Sequence, residues 1–117
     1  MLENFTPIES LDQFQSQVLM HQGLAAADFY AHWCGDCRQH DPVVSALADE
    51  FCDKIKFFKI DTDRLPELEK QWNIRLIPTV VIFRNGRELI RLVNEKSGQK
   101  YRVALETMTG SHVPIIR

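Results

Sequence analysis

Segments with the two-residue period of β-strands alternate with segments of helical period along this chain, and this order restricts its fold more than any other feature. The expected strands span 24–30, 55–60, 79–83 and 87–93, and Phe5 adds a short edge strand. A β-α-β unit followed by a hairpin implies a mixed sheet. We therefore predict an α/β fold with a central sheet of four to five strands flanked by helices on both faces.

Capping residues and prolines indicate where the helices begin. Ser10 can cap the first helix, Asp63 is a candidate cap before the third, and Ser97 or Gly98 opens the fourth. Pro42 lies inside the second helix and should kink it, because proline cannot donate to the preceding turn. The positions expected to face the core in the first and last helices are Leu11, Phe14, Val18, Leu19, Tyr101, Leu105 and Met108.

The dipeptide Asn85-Gly86 is a strong signal for a two-residue hairpin between the last two strands. The length of 117 residues fits one domain, residues 1–117, with a core spanning about 8–110. We expect the residues after Gly110, 111–117, to form a loose tail.

Charge and hydropathy exclude several classes of partner. The net charge of −2 and the absence of a Lys/Arg run argue against nucleic-acid binding. The longest apolar stretch, 80–83, is far too short to cross a bilayer, so no membrane partner is expected. The N-terminus lacks the features of a secretory signal, which leads us to expect a cytoplasmic protein. A monomer is the default expectation.

The cysteines point to redox chemistry. Three cysteines are an odd number, which excludes a full disulfide framework, and Cys34 and Cys37 lie three residues apart where a strand gives way to a helix. The helix N-terminus stabilises a thiolate, so we expect an exposed Cys34 to attack a disulfide and Cys37 to resolve the mixed disulfide. A metal site built from these cysteines, Cys52 and a histidine lacks zinc-finger spacing and is not expected.

Several motifs resemble those of the thioredoxin family. The segment 28–38, D-F-Y-A-H-W-C-G-D-C-R, is similar to the family's D-F-W-A-x-W-C-G-P-C-K. Pro42 falls where the family has its helix-kinking proline, Ile77-Pro78-Thr79 matches its I-P-T, and Asn85-Gly86 matches its hairpin. The resemblance covers roughly Ile8 to Met108 and implies the thioredoxin fold with a redox site at the two cysteines.

The resemblance also implies roles for individual residues. Asp28 corresponds to the buried carboxylate beneath Cys37, which accepts the proton of that thiol and whose pKa burial should raise. Pro78 corresponds to the cis-proline that faces the disulfide. The backbone of Ile77 is then free to bind an extended substrate segment. The residues expected to receive the substrate are Trp33, Gly35, Asp36, Ile77, Pro78 and Val93.

Several positions depart from the family's pattern, and one of them is the tolerable aromatic change from the usual Trp to Tyr30. Asp36 takes the place of proline, and its charge should destabilise the Cys34 thiolate. Phe57 lies where bacterial members often have a lysine, which implies that Asp28 lacks that partner. Asn94 stands where a glycine usually lines the groove.

The resemblance implies a thiol–disulfide oxidoreductase, and the lack of a secretory signal leads us to expect it in the cytosol. It would reduce protein or small-molecule disulfides through a dithiol/disulfide cycle of Cys34 and Cys37. It binds no cofactor, and an NADPH-linked thioredoxin reductase is the expected electron donor. The alternatives are a disulfide oxidase or isomerase and a non-catalytic adaptor or chaperone that keeps only the fold.

Overall fold

A computed structural model describes residues 4–110, and its strands form one five-stranded sheet in the order β1-β3-β2-β4-β5. The strands are β1 (Phe5–Ile8), β2 (Leu24–Tyr30), β3 (Ile55–Asp61), β4 (Thr79–Arg84) and β5 (Arg87–Val93). The first three strands run parallel, whereas β4 is antiparallel to β2 and to β5. The predicted mixed sheet, including the edge strand at Phe5, is confirmed.

Three helices connect successive strands, and a fourth follows β5. The helix α1 begins as an α-helical turn, Leu11–Gln13, and continues as a π-helix, Phe14–Leu19. The others are α2 (Gly35–Phe51), α3 (Pro66–Gln71) and α4 (Gly98–Thr109). Within the described residues, none of these helices has the length and apolar character needed to cross a membrane.

The sheet separates two apolar cores. Because successive side chains of a strand point to opposite faces, Leu24 and Ala26 pack toward α2 and α4, while Ala25, Ala27 and Phe29 pack toward α1 and α3. Helices therefore cover both faces, as the sequence predicts. The alternation also places the one carboxylate of β2, Asp28, on the face covered by α2 and α4.

Most of the local expectations for the helices are confirmed. The Ser10 and Ser97 hydroxyl oxygens accept from backbone N–H groups in the first turns of α1 and α4. Two expectations were wrong. Leu11 is 44% exposed, because the first helix turns only its later residues toward the sheet. Asp63 does not cap α3, which begins after Leu65 without a side-chain cap. The predicted loose tail, 111–117, lies outside the described residues.

The hairpin between β4 and β5 is anchored to the rest of the molecule. Asn85 and Gly86 have φ angles of 52° and 81°, the left-handed conformations that a two-residue turn needs. The Asn85 side-chain oxygen accepts from the Gly23 N–H at 2.7 Å, and the Asn85 N–H donates to the Gly23 carbonyl at 3.0 Å. A Cβ on Gly86 would come within 2.1 Å of the Leu19 carbonyl oxygen, so this position has no room for a side chain.

Candidate active site

The loop after β2 places Cys34 at the N-terminus of α2. The Cys34 N–H donates to the Ala31 carbonyl at 3.2 Å, which folds the chain into the helix start. Cys34 is the N-cap of α2, and its sulfur accepts a hydrogen bond from the Cys37 N–H at 3.1 Å. The free N–H groups and the partial positive charge of a helix N-terminus stabilise a thiolate at this position. Both cysteines are free thiols.

The two sulfurs are less unequal in exposure than the sequence suggested. Cys34 was expected at an exposed edge, but it is only 6% exposed, against 2% for Cys37. Trp33, which is 67% exposed, stands beside Cys34 and is held by a 2.8 Å hydrogen bond from its indole N–H to Asp63. The sulfurs differ instead in the cavities that they face.

Cys34 opens onto a groove of about 500 Å³. The residues that line this groove are Trp33, Cys34, Gly35, Asp36, Arg75, Leu76 and Ile77. Four predicted substrate-binding residues thus surround Cys34, but Pro78 and Val93 do not line the groove. Arg75 and Leu76 were missed, although their position just before Ile77-Pro78 could have indicated them.

The loop before β4 forms the opposite wall. The Ile77–Pro78 peptide bond is cis, as the resemblance implied, and the Ile77 carbonyl oxygen lies 3.8 Å from the Cys34 sulfur. Val93 is 45% exposed and pairs with Thr79 beside this loop. Asn94 donates its N–H to the Pro78 carbonyl at 2.7 Å and has a φ of 50°, which explains why the position suits glycine.

The carboxyl group of Asp28 lies on the face of the sheet covered by α2 and is 1% exposed. Burial raises the pKa of Asp28 to about 7, while the nearby Lys59 ammonium opposes this rise. Lys59 Nζ lies 3.8 Å from Asp28 Oδ2, so the expectation that Asp28 lacks a lysine partner was wrong. The partner is Lys59, which pairs with Asp28 in the β2–β3 register, and not the residue at the position of Phe57.

The Cys37 thiol lies within electrostatic reach of the Asp28 carboxyl group. Burial raises the pKa of the Cys37 thiol to about 12, with the charges of Cys34 and Asp28 contributing in the same direction. The Cys37 thiol therefore stays protonated at neutral pH until a base accepts its proton. Asp28, whose pKa is near neutrality, suits that role.

The next turn of α2 adds His40 and Asp41 to this region. His40 Nε2 and the Tyr101 hydroxyl share a 2.7 Å hydrogen bond that links α2 to α4. Burial lowers the pKa of His40 to about 4 and raises that of Tyr101, so both are neutral near pH 7. The spacing of three and four residues from Cys37 could have revealed both α2 side chains.

One group of potential metal ligands occurs among residues 4–110. The ligand atoms of Asp28, His40 and Asp41 lie within 4.8 Å of one another. Lys59 Nζ lies 2.7 Å from Asp41 and 3.8 Å from Asp28. The ammonium group of Lys59 therefore already supplies the positive charge that a metal ion would bring to these carboxylates. The cysteines are not part of this group.

Two side-chain contacts flank the motif. Asp36, the residue in place of the family's proline, pairs with Lys96 at 3.0 Å. His32 Nε2 lies 3.5 Å from Asp61 on the other side. The Lys96 ammonium offsets part of the repulsion that Asp36 was expected to exert on the Cys34 thiolate.

Comparison with known proteins identifies the family to which this fold belongs. The thioredoxin family model matches residues 6–107. Thioredoxin 1 of Synechococcus elongatus is 39% identical over 80 residues, 68% of this chain and 75% of that protein. The chloroplastic M-type thioredoxin of Chlamydomonas reinhardtii is 40% identical over 77 residues, 66% of this chain and 55% of that protein.

Solved structures agree with the sequence relatives. The thioredoxin of Malassezia sympodialis superimposes with a TM-score of 0.82 at 32% identity, covering 90% of each chain. The match confirms the predicted thioredoxin fold. The chain spans about half the length of several plant relatives that it matches, namely 56% and 42% of two Arabidopsis thaliana thioredoxins.

Proposed function

Because this chain belongs to the thioredoxin family, we propose that it reduces disulfide bonds through a dithiol/disulfide cycle of Cys34 and Cys37. The observation that carries the proposal is the arrangement of two free thiols at the start of α2 above the buried Asp28 carboxyl group. Each of the three groups has a distinct task in the cycle.

The first step is attack on the substrate. The Cys34 thiolate, stabilised at the helix N-terminus, attacks one sulfur of a substrate disulfide that lies in the groove. A bond forms between Cys34 and that sulfur, and the second substrate sulfur leaves with the electron pair and takes up a proton. The exposed Trp33 ring and the Ile77 backbone would hold the substrate segment during this step.

The second step releases the substrate. Asp28 accepts the proton of the Cys37 thiol, and the resulting thiolate attacks the Cys34 sulfur. The bond between Cys34 and the first substrate sulfur breaks, that sulfur leaves as a thiolate and is protonated, and a Cys34–Cys37 disulfide remains. The substrate has gained two electrons, and a two-electron donor must reduce the enzyme again.

The proposed partners follow from this balance. Proteins or small molecules with disulfides are the substrates, and an NADPH-linked thioredoxin reductase is the proposed donor. No cofactor is needed on this chain, because the cysteine pair itself carries the two electrons. We propose that the protein is a monomer in the cytoplasm, which is a reducing compartment. The odd number of cysteines excludes a full disulfide framework and so supports a reducing compartment.

Insulin reduction coupled to thioredoxin reductase and NADPH tests the proposed function. The wild-type protein should consume NADPH in the presence of insulin, whereas Cys34→Ser should be inactive and Cys37→Ser should accumulate the mixed disulfide. Cys52→Ser is the matched control, because Cys52 is exposed at the far end of α2. Wild-type activity no higher than that of Cys34→Ser would overturn the proposal and leave an oxidase or an adaptor as the alternative.

A further inference from the structure

The side-chain ammonium group of Lys59 lies near two carboxylates, those of Asp28 and Asp41. Lys59 Nζ forms a 2.7 Å hydrogen bond with Asp41 Oδ1 but lies 3.8 Å from Asp28 Oδ2. Neither carboxyl oxygen of Asp28 has a hydrogen-bond partner among the described residues. The stronger, charge-assisted contact of Lys59 is therefore made to Asp41 and not to the proposed proton acceptor.

The two carboxylates also differ in their access to solvent. The Asp41 side chain is 35% exposed and the Asp28 side chain is 1% exposed. Asp41, Lys59 and Cys37 all line a cavity of about 290 Å³, which lies apart from the groove at Cys34. Lys59 Nζ thus lies closer to Asp41, the more exposed of the two carboxylates. The centroid of the Tyr30 ring lies 4.2 Å from the same Nζ.

We propose that Asp41 is a positioning residue that holds the Lys59 ammonium away from Asp28 and so keeps Asp28 basic enough to accept the Cys37 proton. The proposal rests on the proposed disulfide reduction. Without Asp41, the Lys59 ammonium would turn to Asp28, stabilise its charged form and weaken it as a base. The negative charge of Asp41 acts in the same direction as its hold on Lys59, because both favour the protonated form of Asp28.

The other titratable groups around Asp28 are neutral near pH 7, so Asp41 and Lys59 dominate its electrostatics. These groups come from each element packed against Asp28 and comprise Tyr30 on β2, Cys37 and His40 on α2, and Tyr101 on α4. Burial disfavours the charged form of each of them. Asp41 and Lys59 are therefore the charged pair to change in an experiment.

The test is a titration of the Asp28 carboxyl carbon by NMR in the reduced full-length protein. The wild-type midpoint should lie near 7. In Asp41→Asn it should fall by about one pH unit, the effect of an opposite charge moved into contact. Asp53→Asn, which removes an exposed charge just after α2, should leave the midpoint unchanged. An unchanged or raised midpoint in Asp41→Asn would overturn the proposal.

A double-mutant cycle separates positioning from the direct effect of charge. In a Lys59→Met background, Asp41→Asn should shift the Asp28 midpoint much less than in the wild-type background, because no ammonium remains to move. An equal shift in both backgrounds would show that Asp41 acts only by its own charge, which contradicts the positioning role.

The kinetic consequence is specific to the second step. The pH dependence of mixed-disulfide resolution should shift in Asp41→Asn by the same interval as the NMR midpoint, while attack by Cys34 keeps its wild-type rate. The NMR titration needs no activity, so inactive wild-type protein would contradict the proposed function alone. Active wild-type protein with an unmoved Asp28 midpoint in Asp41→Asn would contradict this inference alone.

Discussion

Asp28 is deeply buried, yet the proposed resolution step requires its charged form. The Asp28→Asn variant keeps the size of the side chain but cannot accept a proton. We expect resolution of the mixed disulfide at pH 7 to slow by about 10²- to 10⁴-fold, the usual contribution of general-base catalysis. The first attack should slow much less, because Asp28 lies beneath Cys37. Rapid-mixing kinetics with a fluorescent disulfide substrate separate the two steps, and equal slowing of both would count against the assigned role.

Asp36 and Lys96 test how surface charge tunes the attacking thiol. Lys96→Met removes the partner of Asp36 and leaves its negative charge uncompensated near Cys34. We expect alkylation of Cys34 by iodoacetamide at pH 7 to slow by up to about threefold, from the repulsion of two charges roughly 6 Å apart in water. Asp36→Pro should speed the same reaction.

The control for this alkylation experiment is Lys100→Met, since Lys100 pairs with Glu95 and not with the motif. That variant should react like the wild type. Lys96→Met should have no effect when Asp36 is already proline. A Lys96 effect that persists without Asp36 would show that the ion pair is not the cause.

At the scale of the elements, the sequence predicts the strands better than it predicts the first helix. The predicted strands 24–30 and 87–93 match β2 and β5 at both ends. Leu24 to Phe29 is buried throughout, so its apolar run leaves little ambiguity. The first helix was predicted less well at its start, where Leu11 lies in the single α-helical turn before the π-helix and is exposed.

The close approach of Gly86 in the β4–β5 hairpin to Leu19 can be tested by substitution. Gly86→Ala introduces a left-handed alanine and a clash with the Leu19 carbonyl. The left-handed backbone alone costs about 1–2 kcal/mol, and the clash must add to it. Gly110→Ala is the matched control, because Gly110 also has a positive φ of 74° but no atom lies within 4 Å of its added Cβ.

Urea unfolding measures both glycine variants. Gly110→Ala should lower the free energy of unfolding by the backbone cost alone. Gly86→Ala should lower it further, because the α1–β2 connection has to move. Equal losses in the two variants would show that the approach of the turn to Leu19 is not a constraint.

The site itself shows where a sequence stops being informative. Cys34, Cys37 and Asp28 follow from the motif and its resemblance to a family. The partnership of Asp28 with Lys59 depends on the register of two parallel strands, and the contact with Asp41 depends on how α2 crosses the sheet. Neither of these two contacts can be predicted from the spacing of residues along the chain. The packing of the whole molecule likewise decides that the two sulfurs face separate cavities.

The pH dependence of stability is a property of the whole molecule. The pKa of Asp28 is higher in the folded protein, about 7 against 3.8, so this group lowers the free energy of unfolding as pH rises between those values. The pKa of His40 is lower in the folded protein, about 4 against 6.5, so this group raises the free energy of unfolding as pH rises between them. The two opposing slopes should give the wild type a nearly flat profile from pH 4 to 6.5.

Asp28→Asn removes the contribution of Asp28 to the pH dependence of the free energy of unfolding and leaves that of His40. The variant should become more stable as pH rises from 4 to 6.5. At pH 8 it should exceed the wild type by at most about 4 kcal/mol, the value of a shift of roughly three pKa units. Chemical denaturation across this pH range measures both profiles. A variant less stable than the wild type at pH 8 would show that the charged Asp28–Lys59 pair stabilises the fold.

The most direct test of the account is a redox titration of Cys34 and Cys37. The protein is equilibrated in dithiothreitol buffers of increasing potential, and its thiols are trapped and counted by mass spectrometry. These two thiols should convert together to one internal disulfide with a midpoint of about −270 mV, while Cys52 stays free. Failure to form that internal bond under excess oxidant, or a midpoint near the roughly −120 mV of strong oxidants, would contradict the proposed function.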